Sequence, residues 1–222
     1  MSEAKHITLD LKNLRRVARL SGHDLARVSG VAPKNIYDLE RGVGNPRFTT
    51  LHRIVLALSL ELGKIPSVTY TRVISDETFA EVQGIYRNSH SHRTDPDRHV
   101  RFRSPRSLGE APTLTTEHTT QSVLEGGVHL ARVKSLYAES GYSIVDVGAL
   151  TGMTTRRLND VLGVNSTLQQ DLLYWSVLRL AAVFAPFLDG DLQKTLLYIL
   201  EDDLYELDQL YAEREKELPG SH

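Results

Sequence analysis

The chain has 222 residues, 41% of them hydrophobic, and a formal net charge of −2, which is enough for one large or two small globular domains. It contains no cysteine, so disulfides and thiolate metal sites are excluded. Neither a membrane-spanning run nor an apolar N-terminal leader is visible, so we expect a cytoplasmic protein.

Charge is distributed unevenly along the chain. Residues 1–58 hold ten Lys and Arg against five Asp and Glu, whereas residues 166–222 hold four against eleven. This asymmetry predicts that nucleic acid is attracted to the N-terminal part and repelled by the acidic C-terminal part.

The N-terminal part predicts four helices in a row. An apolar stripe over residues 11–18 indicates the first helix. The stretch SGHDLARVSGVAPKNIYDLERG over residues 21–42 indicates two short amphipathic helices. We expect Ser21 to be the N-cap of the upstream helix, Gly30 to form the turn and Pro33 to open the next helix.

The helix that begins at Pro33 is predicted to have one buried and one exposed face. Ile36 and Leu39 lie three positions apart and face inward together, so the polar side chains around them face outward. A loop over residues 42–47 then leads to a fourth helix, whose apolar stripe runs over residues 48–58. The outward polar face is the candidate binding surface.

This block of about residues 9–62 resembles the lambda-repressor-like (XRE) helix-turn-helix family. The resemblance lies in LRRVARLSG, in DLARVSGVAPKNIYDLERG, and in an asparagine-proline pair followed by FTTLHRIVLAL. Two positions depart from the family pattern, because Gly22 replaces a common glutamine and Ala32 replaces the usual hydroxyl cap. The alternative is an adaptor or dimerisation module built on the same bundle.

The resemblance implies specific contacts with double-stranded DNA. Base contacts fall to the polar face of the second helix of the motif, at Lys34, Asn35, Tyr37 and Asp38. Arg41 is a further DNA-binding candidate on the same face. Phosphate contacts fall to the starts of two neighbouring helices: Ser21, His23, Asn45, Arg47 and Thr49.

The middle of the chain has fewer apolar residues. SVTYTRVI over residues 67–74 could form a short strand because it is β-branched and aromatic. Residues 75–86 read as a helix. Residues 87–117 read as a flexible basic linker, which either is a solvated tether or lies along phosphates. Its histidines lack acidic or thiol partners on rigid elements, so no metal site is expected.

An internal repeat follows at an offset of 122 residues. SIVDVGALTGMTTRRLNDVL over residues 143–162 matches the first motif position by position, with Ser143 aligned to Ser21 and Gly152 to Gly30. Its candidate DNA-contacting residues are Thr154, Thr155, Arg156, Arg157 and Asn159. Alternatively, it is a degenerate copy that serves packing. If only one helix-turn-helix per chain contacts DNA, a homodimer on a palindrome is expected. If both do, a monomer can bind an asymmetric site.

The C-terminal part predicts helices that are apolar and then acidic. Residues 168–188 are too apolar on all sides for a surface helix, so they should form a core. A stripe over residues 192–210, interrupted at Asp203, packs back on the second bundle or pairs with another copy.

The sequence therefore predicts an all-α protein with three regions. They are an N-terminal bundle over residues 7–64, a short helix and basic linker over 65–118, and a second helical domain over 119–217 that ends in a long helix. The predicted function is transcriptional repression by operator occlusion, in a phage or mobile-element setting. An antitoxin that regulates its own operon and binds a toxin is the alternative. We predict no catalytic site and no cofactor.

Overall fold

The computed structural model describes residues 9–74, 82, 122–163, 167 and 169–217. This part is almost entirely helical, so the predicted all-α class is confirmed. All but one residue of the helix expected over 75–86, and the whole linker with its arginines and histidines, lie outside the described residues. The helices of the described part are α1 (Leu11–Val17), α2 (Gly22–Ser29), α3 (Pro33–Glu40), α4 (Phe48–Leu62), α5 (Pro66–Val73), α6 (Val123–Gly126), α7 (Ala131–Ser140), α8 (Ile144–Thr151), α9 (Thr155–Leu162), α10 (Tyr174–Phe184), α11 (Leu192–Ile199) and α12 (Glu201–Glu217).

Helices α1 to α4, which we call the first unit, form as the residue pattern predicts. Ser21 is the N-cap of α2 and forms a capping box with Asp24, Gly30 ends α2 at φ 67°, and Pro33 stands in the first turn of α3. Local chemistry fixes these three points, because each residue suits one backbone geometry. Buried side chains of all four helices meet in one core, with the largest contributions from Leu11, Leu25, Ile36, Phe48, Leu51 and Ile54.

The strand expected over residues 67–74 is wrong, because Pro66–Val73 is the helix α5. Pro66 lies in the first turn, where proline is well tolerated. Thr69, Tyr70 and Val73 fall at helical spacing and are completely buried against neighbouring helices. Packing thus outweighs the β preference of the individual residues. Only Ile74, just after the helix, makes a single antiparallel bridge, with Leu9.

Helices α7 to α10, which we call the second unit, repeat the first in detail. Ser143 forms a capping box with Asp146, as Ser21 does with Asp24. Gly152 ends α8 at φ 68°, and the hydroxyl of Thr151 donates to the carbonyl of Val147 at 2.7 Å. The corresponding hydroxyl in the first unit, that of Ser29, donates to the carbonyl of Leu25 at 2.6 Å. The predicted repeat is therefore present as two equivalent helix pairs, α2–α3 and α8–α9.

The fourth helix of the second unit begins later than the sequence predicts. Residues from 168 were expected to be helical, but Gln169–Gln170 pairs antiparallel with Val128–His129 in a two-stranded sheet. The next three residues then run beside the first unit, and α10 begins at Tyr174. Gly127 allows the close approach, since a Cβ there would lie 2.5 Å from the backbone of Asp171.

Helices α11 and α12 complete the structure by packing on both units. α11 packs on α10, while α12 packs on α4 and α5. Leu207 and Tyr211 of α12 are buried with Leu56 and Val123. The C-terminal stripe thus packs within the chain, on the second unit through α11 as expected, but on α4 and α5 through α12, where the second bundle was expected. Buried residues of both units belong to one hydrophobic core. No helix in the described ranges is both long enough and apolar enough to span a bilayer.

Candidate nucleic-acid interface

The outer face of α3 is open in the described structure. Lys34 and Asn35 are exposed, and Tyr37 is 38% exposed. On the opposite side, Ile36 and Leu39 are 0% and 5% exposed. Their burial fixes the rotation of the helix, and therefore sets which side chains face outward.

Asp38 and Arg41 share this face as an ion pair. The Arg41 guanidinium donates to the Asp38 carboxylate one turn earlier on the helix. Most of the Arg41 side chain is exposed, whereas the Asp38 side chain is 25% exposed. The carboxylate thus restrains Arg41 and offsets its charge, while Lys34 and Asn35 carry donors into solvent.

A partly buried ion pair that sequence reasoning missed holds α3 against α1. Arg15 donates to both carboxylate oxygens of Glu40, at 2.5 Å and 3.0 Å, and to the carbonyl of Leu20 at 2.8 Å. The hydrogen bond to Glu40 raises the pKa of Arg15. This two-point contact orients the end of α3. The sequence signal was a charged residue beside the apolar stripe of each helix, and such a residue does not indicate which partner it binds.

Gly22 makes room for Tyr37. A Cβ on Gly22 would lie 2.6 Å from the Tyr37 ring. The His23 ring packs against the same ring edge-on, with the centroids 5.9 Å apart. The glycine that departs from the family pattern is thus matched to the tyrosine that stands on the outer face of α3.

Ser21 and His23, two of the predicted phosphate contacts, lie at the start of α2 and are exposed. The Ser21 hydroxyl accepts from the Asp24 amide at 3.0 Å and donates to the Asp24 carboxylate at 2.6 Å. The hydrogen bond from the Ser21 side chain lowers the pKa of Asp24. This places an anionic carboxylate beside the helix start where a phosphate was predicted.

The other predicted phosphate contacts have partners in the second unit. The side-chain oxygen of Asn45 accepts from the Trp175 amide at 2.9 Å. Arg47 donates to the carbonyl of Asp171 at 3.1 Å, and the Thr49 amide donates to the Asp171 carboxylate at 3.1 Å. The Arg47 side chain is still 61% exposed. Phosphate binding by these residues stays a prediction, now alongside a role in joining the two units.

The second unit presents a comparable polar face on α9. Thr154 is the N-cap of this helix, and its hydroxyl accepts from the Arg157 amide at 3.3 Å. All of the predicted contacts on this helix are exposed, while its buried side is made by Leu158, Val161 and Leu162. The structure therefore brings together the candidates of the second motif: Thr154, Thr155, Arg156, Arg157 and Asn159.

A buried polar cluster between the units was not predicted. His129 donates its backbone amide to Asp203 at 2.9 Å, and its ring Nδ1 lies 2.6 Å from the same carboxylate oxygen. His52 is fully buried, and its Nδ1 lies 3.2 Å from the carbonyl of Val123. Each of these residues is a polar interruption in an apolar stretch of sequence, and such an interruption does not indicate which other residue it contacts. Within the described ranges, no group of three or more side chains is arranged to hold a metal ion.

No family model, curated protein or solved structure matches the chain. The family resemblance and its DNA-contacting residues therefore stay predictions that rest on residue pattern and geometry.

Proposed function

We propose that this protein binds double-stranded DNA in a sequence-specific way and represses transcription by occupying an operator. The observation that supports this best is the outer face of α3, where Lys34 and Asn35 are exposed on a helix whose other side is buried. A short helix presented in this way fits the major groove, which is about 12 Å wide. The lambda-repressor-like family, a cytoplasmic location and a phage or mobile-element setting belong to the same proposal.

The side chains on α3 suit different parts of a duplex. Lys34 supplies a mobile ammonium for a phosphate or for guanine O6 and N7, and the Asn35 amide matches adenine N6 and N7. Tyr37 adds a flat apolar surface beside them. Arg41 is restrained by Asp38, so its guanidinium is already positioned near the groove edge.

The antitoxin alternative rests on the acidic C-terminal helix, and that acidity has a structural use. Glu206 accepts the backbone amide of Val123 at 2.9 Å, and Asp208 accepts that of Ser67 at 3.0 Å. Asp202 pairs with Arg132 at 3.0 Å. These carboxylates serve contacts within the chain, which favours the repressor proposal over a toxin-binding surface.

Footprinting on the DNA upstream of the protein's own gene tests the proposal. We expect the wild-type chain to protect a defined segment, and Lys34→Ala/Asn35→Ala to abolish protection at the same protein concentration. Because both side chains are exposed, the variant should keep the thermal stability of the wild type to within about 0.5 kcal/mol.

A matched control removes one cation and one amide elsewhere. Gln209→Ala/Arg214→Ala changes two exposed residues of α12 and should leave the footprint unchanged. Equal protection by the wild type and the α3 variant would refute the proposal, as would loss of protection in the control alone.

A further inference from the structure

The two units meet through equivalent segments that run antiparallel. Residues 46–48 lead into α4, and residues 172–174 lead into α10. The Phe48 amide donates to the carbonyl of Leu172 at 2.9 Å, and the Tyr174 amide donates to that of Pro46 at 2.8 Å. The pair makes an isolated antiparallel bridge centred on Arg47 and Leu173. These two residues are the N-caps of the fourth helices of their units.

Each fourth helix is capped by the other unit. Neither Arg47 nor Leu173 caps its own helix with a side chain. Instead, Asp171 accepts the amide of Thr49, the second residue of α4, and Asn45 accepts the amide of Trp175, the second residue of α10. These are the amides that an N-cap side chain would normally satisfy.

The exchange of caps is symmetric. Asn45 and Asp171 each lie two residues before the bridge, and Thr49 and Trp175 each lie two residues after it. The aromatic residues that open the two helices also pack together, with ring centroids 5.6 Å apart. An antiparallel bridge between equivalent residues has a local two-fold axis through its centre. Every one of these contacts has its symmetric counterpart about that axis.

The symmetry extends from the bridge to the helix pairs. α4 packs on α2 of its own unit, and α10 packs on α8 of its own unit. Both pairs have the same capping box, the same glycine turn and the same hydroxyl-to-carbonyl bond. Equivalent helix pairs attached to equivalent fourth helices are therefore related by the same approximate two-fold axis.

We infer that one chain contains two DNA-binding heads, the α2–α3 pair and the α8–α9 pair. We infer further that its ligand is a duplex carrying two inverted, non-identical half-sites. This inference rests on the proposed function and specifies the DNA. A duplex has two-fold axes perpendicular to its length, so two heads related by a two-fold axis meet it in opposite orientations. α3 reads one half-site and α9 reads the other.

The half-sites differ because the exposed residues differ. At the offset of 122, Lys34, Asn35 and Tyr37 correspond to Arg156, Arg157 and Asn159. Arginine pairs bidentately with guanine, so the α9 half-site should be richer in guanine than the α3 half-site. A homodimer of single heads would instead require two identical half-sites.

The test begins with selection from a randomised duplex library by the full-length wild-type chain. We expect a bipartite site bound by one chain, with stoichiometry measured by native mass spectrometry. Arg156→Ala/Asn159→Ala should erase base preference in one half, and Lys34→Ala/Asn35→Ala should erase it in the other.

A graft then tests orientation. Lys34→Arg/Asn35→Arg/Tyr37→Asn gives α3 the three outer residues that correspond to Arg156, Arg157 and Asn159 of α9. Asp38 already matches Asp160. The grafted chain should prefer an inverted repeat of the α9 half-site over a direct repeat by at least about tenfold.

The outcomes separate this inference from the proposed function. A grafted chain that prefers the direct repeat, two chains per site, or base preferences unaffected by Arg156→Ala/Asn159→Ala would each overturn the inference while specific binding through α3 stands. Selection of no sequence by the wild type would overturn both. Circular dichroism and thermal melting of each variant verify that it is folded.

Discussion

At the surface of α3, the Tyr37 ring occupies space that only a glycine at position 22 leaves open. A Cβ at 2.6 Å from this ring is closer than real contacts allow. The nearby atoms belong to the outer end of a flexible side chain, so the ring can swing away while the helix stays in place. Residue 22 therefore influences the candidate interface through the position of the Tyr37 ring.

Gly22→Ala should weaken specific DNA binding more than it weakens the fold. The displaced Tyr37 ring leaves its place on the outer face, whereas the free energy of unfolding should change by less than about 1 kcal/mol. Binding to the selected duplex and urea unfolding measure the two effects.

Tyr37→Ala provides the matched background for this prediction. With the ring gone, adding Gly22→Ala should have no further effect on DNA affinity. A full second loss of affinity in the double variant would mean that Gly22 acts through something other than the ring.

At the scale of elements, the starts of α4 and α10 depend on each other. Each takes an N-cap acceptor from the opposite unit, Asp171 for Thr49 and Asn45 for Trp175. An uncapped amide at the first turn of a helix has no partner within that helix. The two units are therefore joined at the points where their fourth helices begin.

Asn45→Ala and Asp171→Ala should each lower the free energy of unfolding by about 1 kcal/mol, the usual effect of losing an N-cap side chain. Equilibrium urea unfolding measures this. Glu213→Ala is the control, because that side chain is exposed on α12, where alanine suits the helical backbone. Unchanged stability in both cap variants would contradict the reciprocal capping.

Local features of these elements were predictable from the sequence, and long-range ones were not. Ser21, Gly30, Pro33 and Thr154 act through neighbours in the chain, so their types alone indicate caps and turns. Asp171 gives no such signal, because its partner Thr49 lies 122 residues away. The helix α5 was missed for the same reason, since burial of Tyr70 against other elements decides its conformation.

For the whole molecule, the acidic α12 is joined to both units through buried polar groups. Asp203 binds His129 just before the second unit, and His52 of α4 lies in the same region. Burial acts to lower the pKa of His129, but the hydrogen bond to Asp203 and nearby carboxylates outweigh it and raise that pKa. Burial lowers the pKa of His52 below its ordinary 6.5.

These opposite shifts give stability a defined pH dependence. His52 is held neutral in the folded chain but takes up a proton below about pH 6.5 when unfolded, so its burial destabilises the fold as the pH falls. The raised pKa of His129 contributes stability that is present below its unfolded pKa and is lost as the pH rises through the folded value.

His52→Asn should reduce the loss of melting temperature on acidification from about pH 7 to about pH 5.5, a range that brackets the ordinary imidazole pKa. The asparagine amide can still donate to the Val123 carbonyl but does not titrate. Gln209→Ala, which changes an exposed residue without a titratable group, is the control and should leave the slope unchanged. An identical slope for the His52 variant and the wild type would contradict the assignment.

The sequence indicated two helical bundles but not the way they share a core. The repeat and its caps pointed to equivalent units, yet nothing local marks the bridge of Arg47 with Leu173 or the packing of α12 on α4 and α5. Of the candidate site, the α3 and α9 faces followed from helical periodicity. The second role of Asn45, Arg47 and Thr49 emerges only when both units are present.

The most direct measurement is the affinity of the wild-type chain for its selected duplex relative to a scrambled duplex, both at one physiological salt concentration. We predict a ratio of at least about a thousandfold for a sequence-specific regulator, and a collapse of that ratio for Lys34→Ala/Asn35→Ala. A ratio near one for the wild type, or an undiminished ratio for the variant, would contradict the claim that the outer face of α3 reads DNA.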